Sequence, residues 1–208
     1  MTRTFIISGT DTGIGKTAAA ALLTLGLDAH YWKPIQSGTE DGTDKATIKT
    51  LTGLPGDRFL PEAYVLTEPL SPHRSAELDG VEIDIAHLSL PIIDGPLIVE
   101  GAGGLMVPVT RRLLQIDLFK HWNAPVVLCA RTGLGTINHT LLSIEALRDR
   151  NIPLHGLLFI GNDNADNIRT IADLSGARVL GRLPWLERVN TEALKTAFAD
   201  HFRPEDFR

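Results

Sequence analysis

The sequence predicts an α/β domain in which a mostly parallel sheet carries helices on both faces, and three observations carry that prediction. Short, β-rich apolar runs alternate with helical stretches along the chain, the arrangement of parallel strands joined by helical crossovers. The first apolar run leads through a glycine-rich turn directly into an alanine-rich helix. The chain has 208 residues, 43% apolar and 22% charged, which suits one compact domain with a sizeable core, residues 1–208.

Each element follows from its own local signal. Thr4–Ser8 is a strand around Phe5-Ile6-Ile7, and Lys16–Leu25 is the alanine-rich helix after the turn. A second strand, Ala29–Lys33, contains the bulky pair Tyr31-Trp32, and Gly42-Thr43 opens a helix over Thr43–Leu51. Residues Pro55–Pro91 are rich in Pro, Glu and Asp without a clear period. Mostly loop is expected there, with short helices near Arg74–Leu78 and Ile85–Leu88. Strands follow at Pro96–Glu100, Pro125–Ala130, Leu154–Ile160 and Val179–Leu183, all apolar and short. The helices between and after them fall at Ile116–Trp122, Ile137–Arg150, Ile168–Leu174 and Thr191–Phe202. No internal repeat, low-complexity tract or linker interrupts the series.

Composition excludes several function classes. A net charge of −5 without any Lys/Arg-rich run argues against a nucleic-acid surface. The one cysteine, Cys129, lies in an apolar strand run and reads as core packing. A single cysteine rules out an intramolecular disulfide framework and suits a reducing compartment. The first residues enter a strand without a charged-then-apolar leader, and no apolar run approaches the length of a membrane span. A cytoplasmic protein that avoids membranes is therefore expected. The histidines lack metal-ligand spacing, so no zinc site is expected.

The turn reads Gly9-Thr10-Asp11-Thr12-Gly13-Ile14-Gly15-Lys16-Thr17. Strand, glycine-rich turn and helix, in that order, are what a phosphate cradle requires. Glycines let the backbone wrap an anion, successive N–H groups point inward, and the helix N-terminus adds positive potential. Five residues separate Gly9 from Gly-Lys-Thr where four are usual, so Thr10 takes the first position of the motif. The expected nucleotide contacts are Gly13, Ile14, Gly15, Lys16, Thr17 and Ala18. Lys16 is placed to reach the β- and γ-phosphates, and the Thr17 hydroxyl to ligate Mg²⁺. The fold class is accordingly P-loop NTPase-like.

Ligands in such sheets sit beyond the carboxyl ends of the strands. The second strand ends at Lys33, which reads either as a surface lysine before a turn or as a second cation beside the phosphates. Ser37-Gly38 forms a tight polar loop able to meet a substrate, and Asp44 is a helix-start carboxylate. The third strand ends in Glu100, an acid parallel to the phosphate strand as Mg²⁺ handling needs, and Gly101, Ala102, Gly103 and Gly104 expose backbone behind it. Gly133 to Asn138 is a second glycine-rich turn at a helix N-terminus, an anion site in principle. Asn162-Asp163 reads as a plain turn or as amides facing a purine, and Pro184-Trp185-Leu186 could wall the base.

Together these pieces resemble the dethiobiotin synthetase family. The matching segments are Gly-Thr-Asp-Thr-x-x-Gly-Lys-Thr at 9–17, Lys-Pro-x-x-Ser-Gly at 33–38 and Ser71-Pro72-His73. They continue with Val-Glu-Gly-Ala-Gly-Gly at 99–104, Gly-x-Ile-Asn-His at 135–139, Asn162-Asp163, and Leu-Pro-Trp-Leu at 183–186. The tail after Glu187 matches no usable pattern. The resemblance implies an ATP-dependent cyclo-ligase of biotin biosynthesis. Its substrates are 7,8-diaminopelargonate and CO₂, ATP is the co-substrate, and Mg²⁺ is the cofactor. It further implies that Lys16 and Lys33 are catalytic and that Thr17, Asp44 and Glu100 hold Mg²⁺. Thr12 and Ser37 orient the diamine, and Gly135, Thr136, Ile137 and Asn138 receive the far carboxylate across a homodimer interface. The rival within the same fold is a dimeric switch ATPase controlling a protein partner. That class begins its cradle Lys-Gly-Gly, whereas this chain has Gly-Thr-Asp-Thr-Gly.

Overall fold

The computed structural model describes residues 3–207. Its main sheet has six parallel strands in the order β2-β5-β1-β6-β7-β8: β1 Thr4–Gly9, β2 His30–Trp32, β5 Leu97–Gly104, β6 Val126–Arg131, β7 Leu154–Ile160 and β8 Val179–Leu183. Helices α1 (Lys16–Gly26), α2 (Asp44–Thr52) and α7 (Thr191–His201) bury Leu22, Leu23, Ile48, Leu194 and Phe198 against one face. On the other face, α4 (Gln115–Trp122) covers Ile6, Trp32 and Val99, while α5 (Thr136–Asp149) and α6 (Ala165–Ser175) cover Leu128, Leu157 and Phe159. The three-layer α/β architecture expected from the alternating runs is present. No helix among the described residues is long and apolar enough to cross a membrane.

The structure departs from the sequence reading in two segments. Strand β2 stops at Trp32 rather than Lys33 because Pro34, with no N–H, cannot extend the ladder. The chain then leaves the main sheet to form a separate two-stranded parallel sheet, β3 (Ile35–Ser37) with β4 (Tyr64–Leu66). The Pro34 carbonyl accepts from the Ala63 and Tyr64 amides and so holds that turn. Much of 55–91 is therefore ordered structure rather than loop. Beyond β4 it contains α3 (Pro72–Asp79), which starts earlier than expected with Pro at its first position, and a 3₁₀ turn at Ile85–Leu88.

The second departure is β5, which runs through Gly104 instead of ending at Glu100. Glycines are poor strand formers, yet here they are the residues that fit. A Cβ on Gly101 would lie 2.8 Å from the Phe119 ring, and one on Gly104 would lie 3.3 Å from the Gly9 carbonyl oxygen. The extended strand lies directly beside the phosphate turn, with Gly9 paired to Gly104.

Candidate active site

The carboxyl ends of β1 and β5, the 33–38 segment and the start of α2 surround a cavity of about 740 Å³. Thr12, Lys16, Thr17, Lys33, Ser37, Asp44 and Glu100 line it, with Gly13, Gly15, Ala102 and Gly103 supplying backbone. Among the described residues, no hydrogen-bond acceptor is found for the backbone N–H groups of Gly13 through Ala18. Six consecutive donors at a helix N-terminus form an anion cradle. Gly15 sits at φ +101°, a left-handed conformation that starts α1, and Ile160 from the end of β7 packs against it. Ile14 is turned away into the core, and Ala18 packs against the same cluster.

Two lysines enter this cavity in different electrostatic settings. Lys16 is buried and, among the described residues, donates only to the Asp11 carbonyl, at 2.9 Å. Burial lowers its pKa, because one carbonyl does not replace the lost water. An anion in the cradle supplies the missing charge. Burial alone would also lower Lys33, but the Glu100 and Asp44 carboxylates outweigh it and raise its pKa. Lys33 pairs with Asp44 Oδ2 and lies 3.4 Å from Glu100 Oε1. It is thus a buried, fixed ammonium at neutral pH rather than a surface lysine.

Thr17, Asp44 and Glu100 meet at one point. The Thr17 hydroxyl lies 3.0 Å from both Asp44 Oδ1 and Glu100 Oε1. Asp44 is free for this role because Thr43 caps α2, its side chain accepting from the Ala46 amide. A hydroxyl with two carboxylates, already drawing an ammonium, is the oxygen-only donor set a hard divalent cation prefers. Among the described residues no three His, Cys, Asp or Glu side chains cluster as a metal cage.

The remaining predicted residues fall in several places. Ser37 Oγ is buried at the cavity wall and has no hydrogen-bond partner among the described residues, so it is available to a ligand. Gly103 adopts φ +74° against Val107, with Thr12 beside it, and Gly101 faces Phe119 rather than the cavity. Asn162 and Asp163 are exposed just beyond β7, whose last residue, Ile160, packs against Gly15. Trp185 is 65% exposed on the adjoining loop, while Pro184 and Leu186 line a separate cavity of about 460 Å³ against α7. Gly135 opens α5 at φ +88°. The Thr136 hydroxyl is turned inward onto the Arg131 carbonyl, while the N–H groups of Ile137 and Asn138 have no acceptor among the described residues. The α5 turn does not line the cavity of its own chain that holds Lys16 and Lys33.

Three residues at the site had no role in the sequence reading. Gln36 Oε1 accepts from the Asp44 amide at 3.1 Å, and Gln36 Nε2 donates to the Gly38 carbonyl at 2.9 Å, tying the 33–38 loop to α2. Its signal is a polar side chain in a short, otherwise buried segment. Arg131 Nη2 donates to the Gly13 carbonyl at 3.0 Å and braces the phosphate turn from β6. Tyr31 donates from its hydroxyl to Glu100 Oε2 at 2.8 Å. Burial first, and the Glu100 charge second, push the Tyr31 phenol well above its ordinary pKa.

Comparison with known proteins matches residues 3–193 to the family model described as an AAA domain. The relatives are much more specific. ATP-dependent dethiobiotin synthetase BioD of Rhodopseudomonas palustris strain TIE-1 is 58% identical over 207 residues, covering 100% of this chain and 98% of the relative. The protein of the same name from Agrobacterium fabrum strain C58 gives the same identity and coverage. The chain belongs to the ATP-dependent dethiobiotin synthetase family. It is an enzyme, an ATP-dependent ligase. Among solved structures, this synthetase is similar to a ParA family ATPase from Chlorobium tepidum, with TM-score 0.53, 14% identity, and 96% and 91% of the two chains covered. A plasmid partition protein from Borrelia burgdorferi bound to AMPPNP gives TM-score 0.56 at 12% identity, covering 96% of this chain and 99% of that one. At that identity the likeness of the synthetase to partition ATPases is one of fold.

Proposed function

We propose that this synthetase closes the ureido ring of dethiobiotin from 7,8-diaminopelargonate, CO₂ and ATP through a carbamate and a carbamic–phosphoric anhydride. The observation that carries the proposal is the second buried cation. Lys33 stands across from Lys16 in one cavity, and binding phosphates alone needs only the cradle and its own lysine.

In the first step a substrate amine adds to CO₂ and loses a proton, giving a carbamate. A carbamate oxygen then attacks the γ-phosphorus, the bond to the bridging oxygen breaks, and ADP leaves. The second amine attacks the carbonyl carbon of the mixed anhydride, and phosphate departs with the oxygen that came from CO₂. No protein nucleophile is required, so catalysis is positioning and charge stabilisation. Lys16 meets the transferring phosphoryl group. Lys33, held protonated by Asp44 and Glu100, meets carbamate charge as a fixed cation and not as a base. The amides of residues 13–18 cradle the phosphates, with Ala102 and Gly103 also lining the cavity and Gly101 behind them against Phe119. Mg²⁺ would be held by Thr17, Asp44 and Glu100, and when bound it neutralises charge on the phosphate oxygens.

Thr12 and the unpartnered Ser37 hydroxyl orient the diamine. Asn162 and Asp163 bind the adenine, with Pro184, Trp185 and Leu186 beside it. The proximity of β7 to the phosphate turn supports this placement. The far carboxylate is received by the Gly135-Thr136-Ile137-Asn138 turn of a second subunit in a cytoplasmic homodimer. The amides of Ile137 and Asn138, without an acceptor among the described residues and outside the lining of their own chain's cavity, favour that arrangement.

The test is phosphate release with Mg-ATP and bicarbonate, with and without the diamine. Because the acceptor is the carbamate, release is expected only when diamine and CO₂ are both present. Equal release without the diamine would identify a nucleotide-driven switch instead.

A further inference from the structure

The Glu100 carboxylate divides its two oxygens between different tasks. Oε1 accepts from Thr17 at 3.0 Å and faces Lys33 at 3.4 Å, while Oε2 accepts from Tyr31 at 2.8 Å. Glu100 is 1% exposed and Tyr31 fully buried, so solvent cannot replace that phenolic donor. The contact follows from strand register. Tyr31 pairs with Ile98 across β2 and β5, and Lys33 and Glu100 each lie two residues further on, so all project from the sheet face that α1 covers. The neighbouring Trp32 points to the opposite face, where its indole donates to the Pro61 carbonyl.

We propose that Tyr31 is a positioning residue for the reaction: its hydroxyl pins Glu100 so that Oε1 is presented to the cation position beside Thr17. The inference rests on the reading of Glu100 as an Mg²⁺ ligand. A carboxylate can rotate about its last bond. Without a donor on Oε2, the buried oxygen is left unsatisfied, and Glu100 turns toward Thr17 and Lys33 in a geometry less suited to the metal. Removal of an outer hydrogen-bond partner of a metal-binding group typically lowers metal affinity or activity about 10–100-fold.

Calorimetric titration of Mg²⁺ into the enzyme with AMPPNP reads this without turnover. Tyr31→Phe deletes one oxygen and is expected to raise the half-saturating Mg²⁺ concentration about tenfold or more. Metal-free binding of AMPPNP should be unchanged, since Lys16 and the cradle amides are untouched. Trp32→Phe, which perturbs the same strand from its other face, should leave the Mg²⁺ midpoint in place. Adding Tyr31→Phe to Glu100→Ala should shift the midpoint no further than Glu100→Ala alone, because the hydroxyl acts through that carboxylate. An unmoved midpoint in Tyr31→Phe, or full additivity in the double variant, overturns the inference. An unmoved midpoint in Glu100→Ala instead overturns the underlying assignment of Glu100 to the metal.

Discussion

Lys33→Ala is expected to lower kcat by about 10²–10³ at saturating Mg²⁺ while changing the affinity for an ATP analogue far less. The ammonium is buried, held in place by Asp44 and Glu100, and lies in the cavity that also contains Lys16. A cation fixed before the reaction needs no reorganisation when charge develops, so its contact strengthens toward the transition state. The loss corresponds to about 3–4 kcal/mol of transition-state stabilisation. Nucleotide affinity is spared because the six cradle amides and Lys16 remain. Saturating Mg²⁺ matters, since the substitution also leaves two carboxylates without their ammonium. Steady-state kinetics beside calorimetry of AMPPNP binding separate the two effects. Weaker analogue binding with unchanged kcat would remove Lys33 from the chemistry.

A second large effect is expected from mixing inactive subunits. Lys16→Ala disables the phosphate end of a site. Asn138→Asp places a carboxylate at the α5 turn, where it repels the substrate carboxylate otherwise drawn to the helix N-terminus. Each homodimer should be nearly inactive. After random exchange, half the dimers are mixed, and one of the two sites in each is assembled from intact halves. Recovery to roughly a quarter of wild-type activity is therefore expected for a two-fold dimer with shared sites. Asn138 is exposed, so the substitution should leave the fold intact. Verified subunit exchange without recovery would mean that each site is built within one chain.

The parts of the site legible in the sequence were those fixed by local geometry. A glycine-rich turn between a strand and a helix announces a phosphate cradle, and the strand-end rule singles out Lys33 and Glu100. The parts that were not legible depend on contacts between distant segments. Three-residue strands such as Ile35–Ser37 and Tyr64–Leu66 have no period to detect, and they exist because Pro34 expels the chain from the main ladder. Glycines after Glu100 suggested a loop, but the close approach of Gly9 and Phe119 makes them strand residues. Asp44 could be recognised as a helix-start acid. That it faces Thr17 and Lys33 follows only from Thr43 taking the cap and Gln36 holding the Asp44 amide. Tyr31 looked like bulk in a strand until register set its hydroxyl on Glu100.

The central claim is that the group phosphorylated in this cavity is a carbamate formed from CO₂. The most direct measurement uses ¹⁸O-labelled bicarbonate in unlabelled water, with diamine and Mg-ATP, sampled before the label exchanges with solvent. The attacking oxygen belongs to the carbamate and leaves with phosphorus when the ring closes. One ¹⁸O atom should therefore appear in inorganic phosphate for each ring formed from labelled CO₂, read by mass spectrometry. Phosphate free of ¹⁸O would show that water, not the carbamate, attacks ATP, and would contradict the mechanism.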